Sequence, residues 1–203
     1  MGLLNDITPQ LLLLRLAAYL VFCSWHGFLL AGIARLLGDR TPQYAGRLSL
    51  SPWGHIAMSG LFMTALFQSG WITPMRFKPE TMRGGRLGLV FCALASLAAT
   101  LVLVGIINLL RPIYASSFGG TAGYTGALFM QQVQEVVIAS VALNLLPIPM
   151  LTGAMFLLAL FPQASRRLRK LEPIGMGCLV IALVAGWVPN VVPILAPWLM
   201  IGR

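Results

Sequence analysis

Acidic residues are scarce in this chain: five Asp and Glu stand against fourteen Lys and Arg, with two His and three Cys, in 203 residues. So few carboxylates and imidazoles leave no plausible Ser-His-Asp set, and no haem, flavin or iron–sulfur spacing occurs. Cys23, Cys92 and Cys178 lack C-x-x-C spacing and lie in apolar stretches, so they read as small core residues. Charge of either sign is rare as well, at 9% of residues, where a soluble domain carries about 25%. The Gly-rich run 119–126 lacks the Gly-Lys-Ser/Thr ending of a phosphate loop and reads as a flexible extramembrane turn. No internal repeat of the transporter kind is present.

What the chain has in abundance is apolar: 58% of residues are hydrophobic, and the mean hydropathy is +0.86. Apolar runs of about 18 residues or more mark candidate spans, and five occur, at 10–37, 53–70, 86–110, 128–161 and 174–201. The expected fold is an all-α membrane protein of about five transmembrane helices, one integral membrane domain over 1–203. The fourth run is too long for one crossing. Pro147 and Pro149 predict a bend there, because proline removes a backbone donor and clashes with the preceding turn. The alternating character of 46–52 predicts a small extended hairpin near 40–52. Residues 1–10 hold no Lys or Arg, so no secretory leader is expected and the first span reads as an uncleaved anchor.

The net charge of +9 points to a membrane surface rather than to nucleic acid. Arg76, Lys78, Arg83 and Arg86 flank one span, and Arg166, Arg167, Arg169 and Lys170 flank another. The second cluster reads as a lipid-headgroup clamp, with docking of an acidic partner loop as its alternative. Five crossings would place both clusters on the side of the N-terminus, in the cytoplasm by the positive-inside rule.

Motifs then carry a resemblance. Residues 26–30 read His26-Gly27-Phe28-Leu29-Leu30, where a zinc protease helix needs H-E-x-x-H. Gly38-Asp39 and Gly46-Arg47-Leu48-Ser49-Leu50-Ser51-Pro52 follow, then His55-Ile56-Ala57-Met58-Ser59-Gly60 and Gly70-Trp71-Ile72-Thr73-Pro74. Asn144-Leu145-Leu146-Pro147-Ile148-Pro149-Met150-Leu151-Thr152-Gly153 and Leu171-Glu172-Pro173-Ile174-Gly175 complete the series. In this order the chain resembles the site-2 protease family of intramembrane zinc metalloproteases, in its compact bacterial type without a PDZ insert. The resemblance covers roughly 20–185 and implies a site-2-protease-like bundle in which positions 26, 30 and 152 hold zinc and position 27 supplies the general base. Here those positions are His26, Leu30, Thr152 and Gly27. The family's A-G-P-x-x-N stretch corresponds to Leu94-Ala95-Ser96-Leu97-Ala98-Ala99, which keeps none of its functional letters. Residues that shape the fold are kept (Asn144, Pro147, Pro149, Gly153, Gly70, Trp71, Pro74) while the ligands and base are replaced.

Polar groups at membrane depth are costly and so are candidates by default. His26 reads as a neutral, hydrogen-bonded core histidine, a metal ligand only if zinc is retained. His55 reads as interfacial. Gln131, Gln132, Gln134 and Glu135 are expected at the membrane surface or a subunit interface, and Arg15 and Arg35 are expected to snorkel or, for Arg15, to pair with an acid on another protein. Small residues Gly27, Gly32 and Ala34 offer close approach to a partner helix.

The expected function is that of a catalytically inactive, zinc-free, site-2-protease-like protein of the bacterial inner membrane. It would serve as an accessory or regulatory subunit of a larger complex, respiratory or photosynthetic for example, with lipids and partner transmembrane helices as its contacts and no nucleic acid. The enzyme alternative is an active intramembrane zinc metalloprotease using His26 with His55 or Asp39. A channel or transporter is the third class; it calls for several buried ionisable groups, whereas at most His26 and Glu135 are expected to be buried.

Overall fold

The computed structural model describes residues 8–200, and these are helical with no regular strand among them. Helix α1 (Pro9–Leu36) begins at Thr8, whose hydroxyl accepts the Leu11 N–H at 3.2 Å, with Pro9 at the first position. Such an entry fits a helix start, where proline's missing N–H has no partner to lose. Two further long helices follow, α4 (Gly85–Ser117) and α5 (Gly120–Asn144), after the short α2 (Thr41–Tyr44) and α3 (Met58–Phe67). The chain ends in α6 (Ala154–Leu160), α7 (Ser165–Val184) and α8 (Val192–Leu199). Helices α1, α4 and α5 pack pairwise around one core, with Phe22, Leu89, Leu97 and Val136 all but inaccessible.

Among the described residues, three helices are long and apolar enough to cross a membrane: α1, α4 and α5. Five spans are not confirmed. The 53–70 run forms no helix of spanning length. Its helix α3 has only 10 residues, about 15 Å of rise, and the chain then turns back. Lys78 N–H donates to Asp39 Oδ2 at 2.7 Å and Arg83 N–H to the Leu37 carbonyl at 2.6 Å, so residues 38–78 leave the end of α1 and return to it. Hydropathy cannot register this, because a short apolar helix that turns back is as apolar as a spanning one. The 128–161 run divides into the end of α5 and α6, with 145–153 non-helical between them. The last run breaks between α7 and α8, and its final residue lies outside the described segment.

The extended hairpin at 40–52 is absent. That stretch holds α2 and bends, and an isolated antiparallel bridge pairs Ile56 with Ile72. The Gly-rich run 119–126 is not a loop either, since α5 already begins at Gly120. Cys23 and Cys92 are buried as expected, but Cys178 is exposed.

Candidate functional site

The site assembles on the middle of α1. One turn after Phe22, the His26 ring lies parallel to the Phe22 ring at a centroid distance of 5.5 Å, fully buried. Its Nδ1 lies 2.8 Å from Thr100 Oγ1 on α4, and its Nε2 lies 2.9 Å from Thr152 Oγ1, 126 residues away in sequence. The Thr100 hydroxyl donates to the Ser96 carbonyl at 2.6 Å. Its one proton is thereby committed, so Thr100 Oγ1 accepts from His26 Nδ1–H. Nε2 of the neutral ring is then the acceptor, and it receives the Thr152 hydroxyl proton. Both edges of the imidazole are satisfied by protein, as a buried polar ring in an apolar bundle requires.

Thr152 is held in turn by Asn144. The Asn144 carboxamide oxygen accepts the Thr152 N–H at 3.3 Å, and its Nδ2 donates to the carbonyls of Gly70 at 2.9 Å and Ser140 at 2.8 Å. Gly70 N–H donates to Ser140 Oγ at 3.0 Å, and Gly153 N–H to the Asn144 carbonyl at 2.8 Å. Pro147 and Pro149 lie in the non-helical turn that lets the chain fold back onto Asn144. A Cβ at Gly153 would meet the Leu146 carbonyl oxygen at 2.3 Å, so this crossing admits only glycine. Trp71 is 1% exposed, and its carbonyl accepts the Tyr19 hydroxyl at 2.9 Å.

Gly27 carries a second consequence. A Cβ built there would lie 2.2 Å from His55 Nδ1. His55 Nε2 faces the Ser49 carbonyl at 2.9 Å and so carries the proton, leaving the Nδ1 lone pair buried and unpartnered. His55 is therefore not interfacial: its ring occupies the space where the general base of a zinc protease would project. The same contact closes Gly27 to any partner helix. Leu30, one turn past His26, is buried and lines a cavity of about 610 Å³ together with Pro74 and Thr152.

Position 30 is thus an alkyl group, both His26 nitrogens are bonded to threonines, and no group of three His, Cys, Asp or Glu side chains able to hold a metal occurs among the described residues. These residues do not fit a zinc centre. Asp39 offers no replacement. Its oxygens accept the N–H groups of Thr41 at 2.8 Å and Lys78 at 2.7 Å, 13 residues or about 20 Å along from His26. Thr100 is the functional residue that motif matching missed. It falls one position beyond the 94–99 stretch, and the Ser96–Thr100 pair, polar at one-turn spacing in an apolar helix, is the signal that marks it.

The other polar residues also turn inward. Glu135 is buried and accepts from Gln131 at 2.9 Å, from Gln132 at 3.2 Å and from Gln68 at 3.0 Å. It therefore lies at neither a wet surface nor a subunit interface. Gln134 donates to Asn108 Oδ1 at 2.8 Å. Arg15 does not snorkel; it is 6% exposed, and its guanidinium donates to the Ala65 carbonyl at 3.0 Å. Arg35 is exposed. Among the described residues, five Arg, His, Asp and Glu side chains are buried (Arg15, His26, Asp39, His55 and Glu135), more than the two expected. Each bonds to neighbouring protein groups, so the count alone does not indicate a conduction path. Arg166, Arg167, Arg169 and Lys170 lie exposed in the first turns of α7.

No family profile matches the chain, and no solved structure matches it. Among curated proteins, one from Bacillus subtilis (strain 168), named "Putative zinc metalloprotease YwhC", is 27% identical over 202 residues, covering 98% of this chain and 89% of that protein. A near-full-length similarity of this kind supports the likeness to site-2-type zinc metalloproteases that the motifs carry.

Proposed function

We propose that this chain is a non-hydrolytic relative of the site-2 proteases, a membrane-embedded scaffold that binds without cleaving. The observation that carries the proposal is the engagement of His26 by Thr100 and Thr152, with Leu30 one turn away and His55 filling the general-base position over Gly27. A hydrogen-bond relay cross-links α1, α4 and the 145–153 turn where the family resemblance implies a metal. Water activation calls for a lowered water pKa and a base beside it, and these side chains supply neither. Partner transmembrane helices and lipids are the contacts such a scaffold offers, in the cytoplasmic membrane of a bacterium given the bacterial relative. The proposal carries no respiratory or photosynthetic assignment, since neither the fold nor the named relative points to one.

The second reading is proteolysis, favoured by the name of the relative. Incubating the purified full-length chain with model transmembrane substrates, with added zinc or with a chelator, separates the two. The scaffold predicts intact substrate in every arm. Zinc-dependent cleavage that His26→Ala removes would establish the protease instead.

A further inference from the structure

The cavity beside Thr152 runs between the extended segment after Trp71 and the 149–172 region. Its floor is apolar and closed: Leu30, Leu89, Leu151 and Met155 are each at most 3% exposed. Its mouth is charged in both signs, with Arg76, Lys78 and Arg169 on one account and Glu80 and Glu172 on the other. Among the described residues, none of these five side chains has an ion pair or a hydrogen bond to protein. Cations and carboxylates gathered at one rim without neutralising one another suit a ligand that itself carries both charges. The volume of about 610 Å³ falls within the ordinary range for a small-molecule site, which pairs apolar walls with a few polar groups.

We propose that this cavity takes one phospholipid with a zwitterionic amine headgroup, of the phosphatidylethanolamine class. The phosphate lies among Arg76, Lys78 and Arg169, the ammonium against Glu80 and Glu172, and an acyl chain enters toward Leu30 and Met155. The basic cluster at the start of α7 thus divides by position. Arg169 lines the cavity and Lys170 does not, which sharpens the general expectation of headgroup contact at span ends. This inference does not depend on whether zinc is bound, so its failure and that of the scaffold proposal are separately visible.

The test is native mass spectrometry of the full-length chain, delipidated in mild detergent and titrated with phosphatidylethanolamine or phosphatidylglycerol of identical acyl chains. The expected result is one phosphatidylethanolamine per chain, retained at least tenfold better than phosphatidylglycerol. Ala154→Phe, which fills the cavity wall, and Arg169→Gln each reduce that occupancy at least tenfold, while Lys170→Gln leaves it unchanged. Glu172→Gln removes the preference between the two lipids. Equal retention of both lipids by the unaltered chain overturns the assignment, as does undiminished binding in a folded Ala154→Phe variant. Displacement of the lipid by an apolar peptide span would assign the cavity to a polypeptide.

Discussion

At the scale of the residue, His26 is a bridging group rather than a ligand. His26→Leu removes the Nδ1–H donor to Thr100 and the acceptor for Thr152, but both hydroxyls keep other partners, the Ser96 carbonyl at 2.6 Å and Asn144 Oδ1 at 3.5 Å. The variant should fold and insert, with a loss of about 1–3 kcal/mol, the range for disturbing a buried hydrogen-bonded group. Thermal unfolding in detergent checks this, and chelators should leave the unaltered protein's melting temperature where it is. A sharper case is Gly27→Glu, which restores the identity of a general base yet meets the His55 ring. It should destabilise strongly, and His55→Gly, by opening the space, should rescue it. A double-mutant cycle that finds the two changes additive would show that the Glu side chain and the His55 ring do not compete for that volume.

At the scale of the element, the 145–153 turn and the end of α3 teach different lessons. The turn was legible in the sequence. Pro147 and Pro149 forbid a continuous helix, and Asn144 and Gly153 are the residues needed to satisfy and admit the returning backbone. Gly153→Leu should therefore disrupt packing around Asn144, seen as faster proteolysis and lower accumulation. The end of α3 was not legible. A short apolar helix reads as a crossing until its carbonyls are accounted for, and here the Ala65 and Leu66 carbonyls are met by Arg15 from 50 and 51 residues away. No local pattern announces that Arg15 will turn inward, because a basic residue near a span end ordinarily reaches outward. Arg15→Met should cost about 1–3 kcal/mol, because it leaves the Ala65 and Leu66 carbonyls without their side-chain donor. Equilibrium unfolding of this variant against the unaltered chain decides this.

At the scale of the whole molecule, the return of residues 38–78 to the end of α1 bears on the orientation expected from five crossings. The chain leaves α1 and enters α4 at the same end, so Arg76, Lys78, Arg83 and Arg86 lie opposite the start of α1. Arg86 and Arg167 line a common pocket, which places the second basic cluster at that end as well. With α1 as a span, the positive-inside rule predicts this end in the cytoplasm and the start of α1 outside. Cysteines introduced singly at Gln10 and Lys78, in a chain whose own three are replaced, should be labelled from opposite sides of intact vesicles. Labelling from one side would restore an even number of crossings between them. The family likeness itself was legible through the order of its motifs. What replaced the chemistry was not, because Thr100 belongs to no matching letter and His55, though it matches one, meets Gly27 only through space. The central claim is that this fold persists without a metal, and the most direct measurement is zinc stoichiometry by mass spectrometry on the purified chain after incubation with zinc. The account predicts no bound zinc in the unaltered protein and no change on His26→Ala; one zinc per chain, lost in His26→Ala, would contradict it.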